Sequence, residues 1–234
     1  MNSKSKSKNT KKKKEIGNFC YDFVKVTGAL PTLLWLRPRI IHMGKKHSLK
    51  DGFMASANHC SFLDPVIIHC VFWKRRVYSL ATKDLYSTKL RKWFFNRMHC
   101  IEVDKENFSL NSFHEVVKQL KRGKVVSIFP EGRVNFSSDD VLTFKSGVIL
   151  MAHTANVPIV PVYILPAKKW YNRRTAVVGE PINIRDICGR MPSTEDISRA
   201  ASYVHEKEEE LKAYYHEKYD KNKQKESEKE TVNQ

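Results

Sequence analysis

His59 and Asp64 are the two side chains in this 234-residue chain whose types and spacing best suit acid–base chemistry. An offset of five residues on one straight helix would set them about 140° apart around the axis, out of contact. The flanking sequence argues against one straight helix. Phe53–Ala57 is a small-residue, mostly apolar run suited to a strand, and Asn58 and His59 stand where the chain leaves it. Asp64 then reads as an N-cap and Pro65 as a first helical residue, where its missing N–H is no loss. Across such a strand–loop–helix bend the carboxylate can reach the imidazole, fix its tautomer and favour its cationic form. The pair then reads as a general base for a substrate hydroxyl, an effect worth roughly 10²–10⁴ in rate. A capping Asp beside an unrelated surface His satisfies the same spacing, so the pair alone does not choose.

Two further stretches bear on the choice. Lys124–Val134 is a buried-strand pattern that stops at Pro130 and hands over to Glu131, Gly132 and Arg133, and Val157–Val162 reads Val-Pro-Ile-Val-Pro-Val. Asn58-His59 with Asp64, then Phe129-Pro130-Glu131-Gly132, then Val157–Val162 together resemble the glycerolipid acyltransferases. The branch most like it is that of the 1-acylglycerol-3-phosphate (lysophosphatidic acid) O-acyltransferases, over roughly Phe53 to Ile184. The resemblance implies that His59 is the base and Asp64 its orienting acid. It implies that Glu131 and Gly132 position the glycerol part, and that Arg133 and Lys105 hold the phosphate. Asn58 either supports the turn or touches the substrate. The co-substrate would be acyl-CoA or an acyl-acyl-carrier protein, with no cofactor and no metal. Two positions depart from the common pattern. Arg133 follows Gly132 directly, with Val134 in the usual Arg slot, and Lys105 stands where many members have Arg. Lysine lacks arginine's two-pronged grip on phosphate. Head-group choice therefore stays open between the phosphate-only lysolipid and another such as lysophosphatidylethanolamine. A non-catalytic lipid-binding protein of the same fold is the other alternative.

Composition narrows the partners. The net charge is +17; seven Lys and no acid lie within residues 1–14, and +10 remains for the rest. A basic body suits an anionic membrane surface, phosphate-bearing substrates, acyl-CoA or an acidic carrier protein. Nucleic acid fits less well, because the aromatics are not interleaved with the basic arm and no recognised motif is present. The five cysteines are scattered, odd in number and without C-x-x-C spacing, as expected for reduced thiols and not for staples or zinc ligands. Cys60 follows His59 directly, and neighbours on an extended chain point to opposite sides, which disfavours a thiol–imidazole pair.

The elements that must position these groups are legible in outline. Residues 1–15 form a polybasic arm, disordered by composition. In the segment 16–36, Ile16, Phe19, Phe23, Val26 and Leu30 fall at helical spacing with Asn18, Asp22 and Lys25 opposite. It is too charged and interrupted to span a bilayer, and suits a helix lying in the interface behind a basic arm. Residues 37–192 alternate strands and helices, which implies an α/β fold: one mixed, largely parallel sheet flanked by helices. Strands are expected at Pro38–Met43, Phe53–Ala57, Val77–Ala81, Cys100–Val103, Lys124–Phe129, Pro158–Tyr163 and Thr175–Val178. Pro158 and Pro161 demote theirs to an edge or irregular strand. Helices are expected at Pro65–Trp73, Thr88–Arg97, Ser109–Arg122 and Phe144–Ala155. The aromatics Trp93, Phe94 and Phe95 read as core or as the wall of an acyl channel. From 193 onward a charged helix leads into a Lys/Glu tail, with no chemistry assigned to either. No secretory signal follows the Lys run. The expected location is the cytoplasmic face of the cell membrane, peripheral or monotopic.

Overall fold

The computed structural model describes residues 19, 21–27, 31, 34–45, 49–104, 109–132, 146–166 and 173–220. Lys105 and Arg133 lie outside the described residues, as does most of the arm and tail.

Seven strands form one sheet: β1 (Arg39–His42), β2 (Phe53–Ala57), β3 (Val77–Thr82), β4 (Ile101–Val103), β5 (Val125–Ile128), β6 (Ile159–Ile164) and β7 (Thr175–Val178). Their order is β1-β7-β6-β2-β5-β3-β4. The five strands from β6 to β4 run parallel; β7 pairs antiparallel with β6, and β1 pairs parallel with β7, so these two run opposite to the other five. The fold is thus the expected mixed, mostly parallel sheet. β2 and β5 are buried along their whole length, the usual condition of central parallel strands.

The helices are α1 (21–27), α2 (Asp64–Val71), α3 (Lys89–Arg97), α4 (Leu110–Lys121), α5 (Gly147–Ala155), α6 (Ile184–Cys188) and α7 (Thr194–Tyr215). Their starts follow local chemistry. Ser109 caps α4 by accepting the N–H of Ser112 at 3.1 Å, and Ser193 and Asp196 form a reciprocal capping box on α7. From β2 to β3 and from β3 to β4 the chain steps toward one edge of the sheet, and from β4 to β5 and β5 to β6 it steps back. Right-handed crossovers therefore place α2 and α3 on one face and α4 and α5 on the other. The core divides the same way. One half packs Ile67 and Ile68 of α2 on Phe53, Ala55 and Val77, and the other packs α4, α5 and α7 on Met54, Val126 and Tyr163.

Three expectations need correction. For β6 the edge half of the expectation fails and the irregular half holds: the strand is interior, between β2 and β7. Val162 faces Val178 while Ile159 faces Ile182, so residues 179–181 stand opposite 160–161 and form a bulge. Pro161 sits there, and its missing N–H breaks no regular ladder. Second, Leu63 takes the cap position of α2, and Asp64 is already within the helix with its carboxylate turned back on the preceding loop. Third, no residue of α3 is buried, so Trp93 and Phe94 are neither core nor the lining of an enclosed channel.

Candidate active site

The parallel block brings the C-terminal ends of β2, β5, β3 and β4 to one rim, where ligands bind in open α/β sheets. β2 delivers Asn58 and His59 to that rim, and its neighbour β5 delivers Phe129, Pro130 and Glu131. The imidazole of His59 stacks on Phe129, with ring centroids 4.2 Å apart. Its Nδ1 lies 3.0 Å from Asp64 Oδ2. The same oxygen accepts the backbone N–H groups of Cys60 and Ser61, each at 2.7 Å. Asp64 is fully buried and the His59 side chain is 16% exposed. Because that oxygen already accepts two N–H groups, the geometry suits a tautomer with the proton on His59 Nδ1, which leaves Nε2 facing away from Asp64 as the basic nitrogen. The loop spanning residues 58–64 thus does what one helix could not: it folds the acid back under the imidazole.

Asn58 is engaged within the fold. Its Nδ2 donates to the carbonyl of Ile164 at 2.9 Å and its Oδ1 accepts the Ile164 N–H at 2.6 Å. Both ends of the amide are spent on the last residue of β6, which extends the β2–β6 pairing one step and fixes where His59 emerges. Cys60 is held between Asp64 and the Ile164 carbonyl. Burial, and then the Asp64 charge, push its thiol well above the ordinary range, so it supplies no thiolate.

Phe129 to Gly132 is a tight turn closed by the Gly132 N–H to the Phe129 carbonyl at 3.1 Å, with Pro130 second. Gly132 has φ +67°, a conformation that favours glycine, and it is exposed on the rim. Glu131 is only 7% exposed. The end of β4 lies three strands from β2, about 14 Å at the usual strand spacing. There Lys83 pairs with Asp104 at 2.7 Å.

Two charged groups escaped the sequence reading. Glu208, on α7, is fully buried and accepts the hydroxyl of Ser56 at 2.8 Å, three residues before His59. Burial raises its carboxyl well above the usual range, the Ser56 hydrogen bond offsets part of that, and the nearby Glu131 adds to it. Arg174 immediately precedes β7, is 4% exposed, and its charge is felt at Cys60. Neither had a local signal: Glu208 sits in a run of charged residues, and Arg174 follows another Arg in a polar stretch. Among the described residues no cluster of three His, Cys, Asp or Glu side chains is set to hold a metal ion.

A family model described as Acyltransferase matches residues 39–165, which span β1 to the end of β6 and all of this rim. The chain belongs to the Acyltransferase family. Among its relatives, the 1-acyl-sn-glycerol-3-phosphate acyltransferase of Bacillus subtilis is 28% identical over 189 residues, covering 78% of this chain and 93% of that one. The protein of the same description from Streptococcus pneumoniae is 26% identical and covers 90% of this chain and 81% of its own. The fold matches the crystal structure of the 1-acyl-sn-glycerophosphate (LPA) acyltransferase PlsC from Thermotoga maritima with a TM-score of 0.61 at 21% identity, over 86% of this chain and 83% of that one. This acyltransferase thus carries the resemblance seen in its motifs through to its whole architecture.

Proposed function

We propose that this acyltransferase moves a fatty acyl group from a thioester to the sn-2 hydroxyl of 1-acylglycerol-3-phosphate, making phosphatidic acid, with His59 as general base. The carrying observation is the 3.0 Å contact between His59 Nδ1 and Asp64 Oδ2 at the open rim of the sheet. The names of the relatives from Bacillus subtilis and Streptococcus pneumoniae support the substrate. Nε2 takes the hydroxyl proton as the oxygen attacks the thioester carbonyl carbon. The C–S bond then breaks, and the leaving thiolate takes the proton back from the imidazolium. Asp64 holds the ring and stabilises its transient charge. Glu131 and Gly132 position the glycerol part, and Arg133 and Lys105 supply positive charge for the phosphate. The donor is acyl-CoA or acyl-acyl-carrier protein, and the enzyme works peripherally at the cytoplasmic face of the cell membrane.

Purified protein is incubated with lysophosphatidic acid, lysophosphatidylethanolamine and both donor classes, and the products are identified by mass. Phosphatidic acid from the wild type, with turnover lost in His59→Ala, is the expected result. Turnover of His59→Ala at the wild-type rate overturns the role of His59, and exclusive acylation of lysophosphatidylethanolamine overturns the substrate. Arg133→Ala and Lys105→Ala are expected to raise KM for the lysolipid more than they lower kcat, because a phosphate grip acts largely as uniform binding.

A further inference from the structure

The two faces of the sheet are finished differently. Among the described residues, seventeen large apolar side chains are left exposed; thirteen precede residue 95, and nine of these lie on α1, α2, α3 or the residues directly flanking α1 and α2. The other four, Leu110, Leu150, Met191 and Tyr203, are scattered over the α4–α7 side. Charge is divided too. Among the described residues, those from 19 to 97 hold thirteen Lys and Arg against four acids, whereas those from 109 to 220 hold twelve against twelve.

Two helices on the apolar side are built outside in. α1 grips the domain with its polar groups: Asp22 pairs with Arg76, and Lys25 donates to the carbonyls of Trp73 and Arg75. Tyr21 alone is fully buried, its hydroxyl accepting the Val77 N–H at 3.1 Å. The apolar stripe of Phe19, Phe23 and Val26 is turned outward. α3 has no fully buried residue, and of its apolar side chains only Phe95 is half-buried, against Tyr86: Leu90 is 74% exposed and Trp93 52%, beside Lys89, Arg91, Lys92 and Arg97 and no acid. Phe62, on the loop that carries His59, is 78% exposed. Ordinary surface helices point their apolar stripe at the core. A grouped apolar surface flanked by cations fits an interface between water and anionic lipid, with Trp at the boundary. No helix among the described residues is long and apolar enough to cross a membrane.

We propose that the α1–α2–α3 face is the membrane-seating surface, with α3 a second insertion helix beside the N-terminal segment, so that the acyltransferase lies on anionic lipid with the His59 rim at the interface. This rests on the reading of the substrate as a membrane lysolipid, and commits to lipid as the occupant of the face.

The test is co-sedimentation of the full chain with vesicles of phosphatidylglycerol and phosphatidylcholine, and with phosphatidylcholine alone. Leu90→Glu/Trp93→Glu is expected to lose about tenfold or more in partition to the anionic vesicles, because it removes inserted apolar groups and adds repelled charge. Lys89→Gln/Arg91→Gln/Lys92→Gln is expected to lose a similar factor on anionic vesicles only. Leu110→Glu/Met191→Glu, on the other side, is expected to bind as the wild type does. Because the substituted positions are all exposed, the α3 variants should keep the wild-type Tm. They should also keep wild-type turnover of a short-chain lysolipid presented as monomers. Equal partition of the α3 variants and wild type overturns the inference, as does an equal loss in the control pair. A change of oligomeric state on α3 substitution, with vesicle binding intact, assigns the face to a protein partner and overturns it too. Absence of turnover by the wild type on the monomeric lysolipid would count against the proposed reaction, while the vesicle comparison still decides the membrane face.

Discussion

Asp64 reaches back over the loop to His59, and one carboxylate oxygen serves both the imidazole at 3.0 Å and the N–H groups of Cys60 and Ser61. The acid is therefore at once the orienting partner of the ring and the clasp of the loop that carries it. Asp64→Asn keeps the size of the side chain but removes the charge and one acceptor oxygen. We expect kcat to fall by roughly 10²–10⁴ with a smaller change in KM, read by initial-rate kinetics. A Tm lowered in the same variant would report the loosened clasp.

Asn58 separates positioning from binding. In Asn58→Ala the Ile164 N–H and carbonyl lose their partners, and leaving buried backbone groups unpaired costs about 1–3 kcal/mol each when water cannot reach them. The expected outcome is a lower Tm and a lower kcat with KM for the lysolipid unchanged. A raised KM with kcat intact would return Asn58 to the substrate.

The thiol of Cys60 is held protonated by burial and by the neighbouring carboxylate. Cys60→Ala is expected to keep kcat within a few fold, and the wild-type thiol at this position to react slowly with alkylating reagents near pH 8. Loss of turnover on the scale of His59→Ala would point instead to a covalent acyl-thiol.

Glu208 gives a pH dependence with a definite sign. Its folded-state pKa is raised, by burial first and by Glu131 as well, above the unfolded carboxylate value of 4.5. The folded chain then holds a proton that the unfolded chain has released. The group's contribution is fully present below the unfolded pKa and is lost as pH rises toward the folded one. Glu208→Gln keeps an acceptor for Ser56 and cannot ionise. Its Tm relative to wild type is expected to improve steadily from pH 5 to pH 8, measured by thermal unfolding. A constant difference across that range would mean that Glu208 does not titrate with folding.

The sequence alone carried the reaction class and most of the frame. The strand Thr175–Val178 and the stripe of α4, with Val116, Val117 and Leu120 buried, follow from local period and capping. The ordered blocks around His59, Glu131 and Val157–Val162 carried the likeness to glycerolipid acyltransferases. What stayed hidden depended on what lies opposite a residue. Pro161 read as the sign of an edge or irregular strand, and the choice between them rests on a bulge made with residues 179–181, distant in the chain. Glu208 looked like one more solvated charge, and only the packing of α7 onto the sheet brings it to Ser56, 152 positions away. The aromatics of α3 read as core or channel wall, since an apolar stripe records spacing but not which side the domain occupies. The chain thus set which groups could do the chemistry. Tertiary packing set which of them meet, which are kept from water, and which face is left bare, because those are decided by partners that no local pattern names.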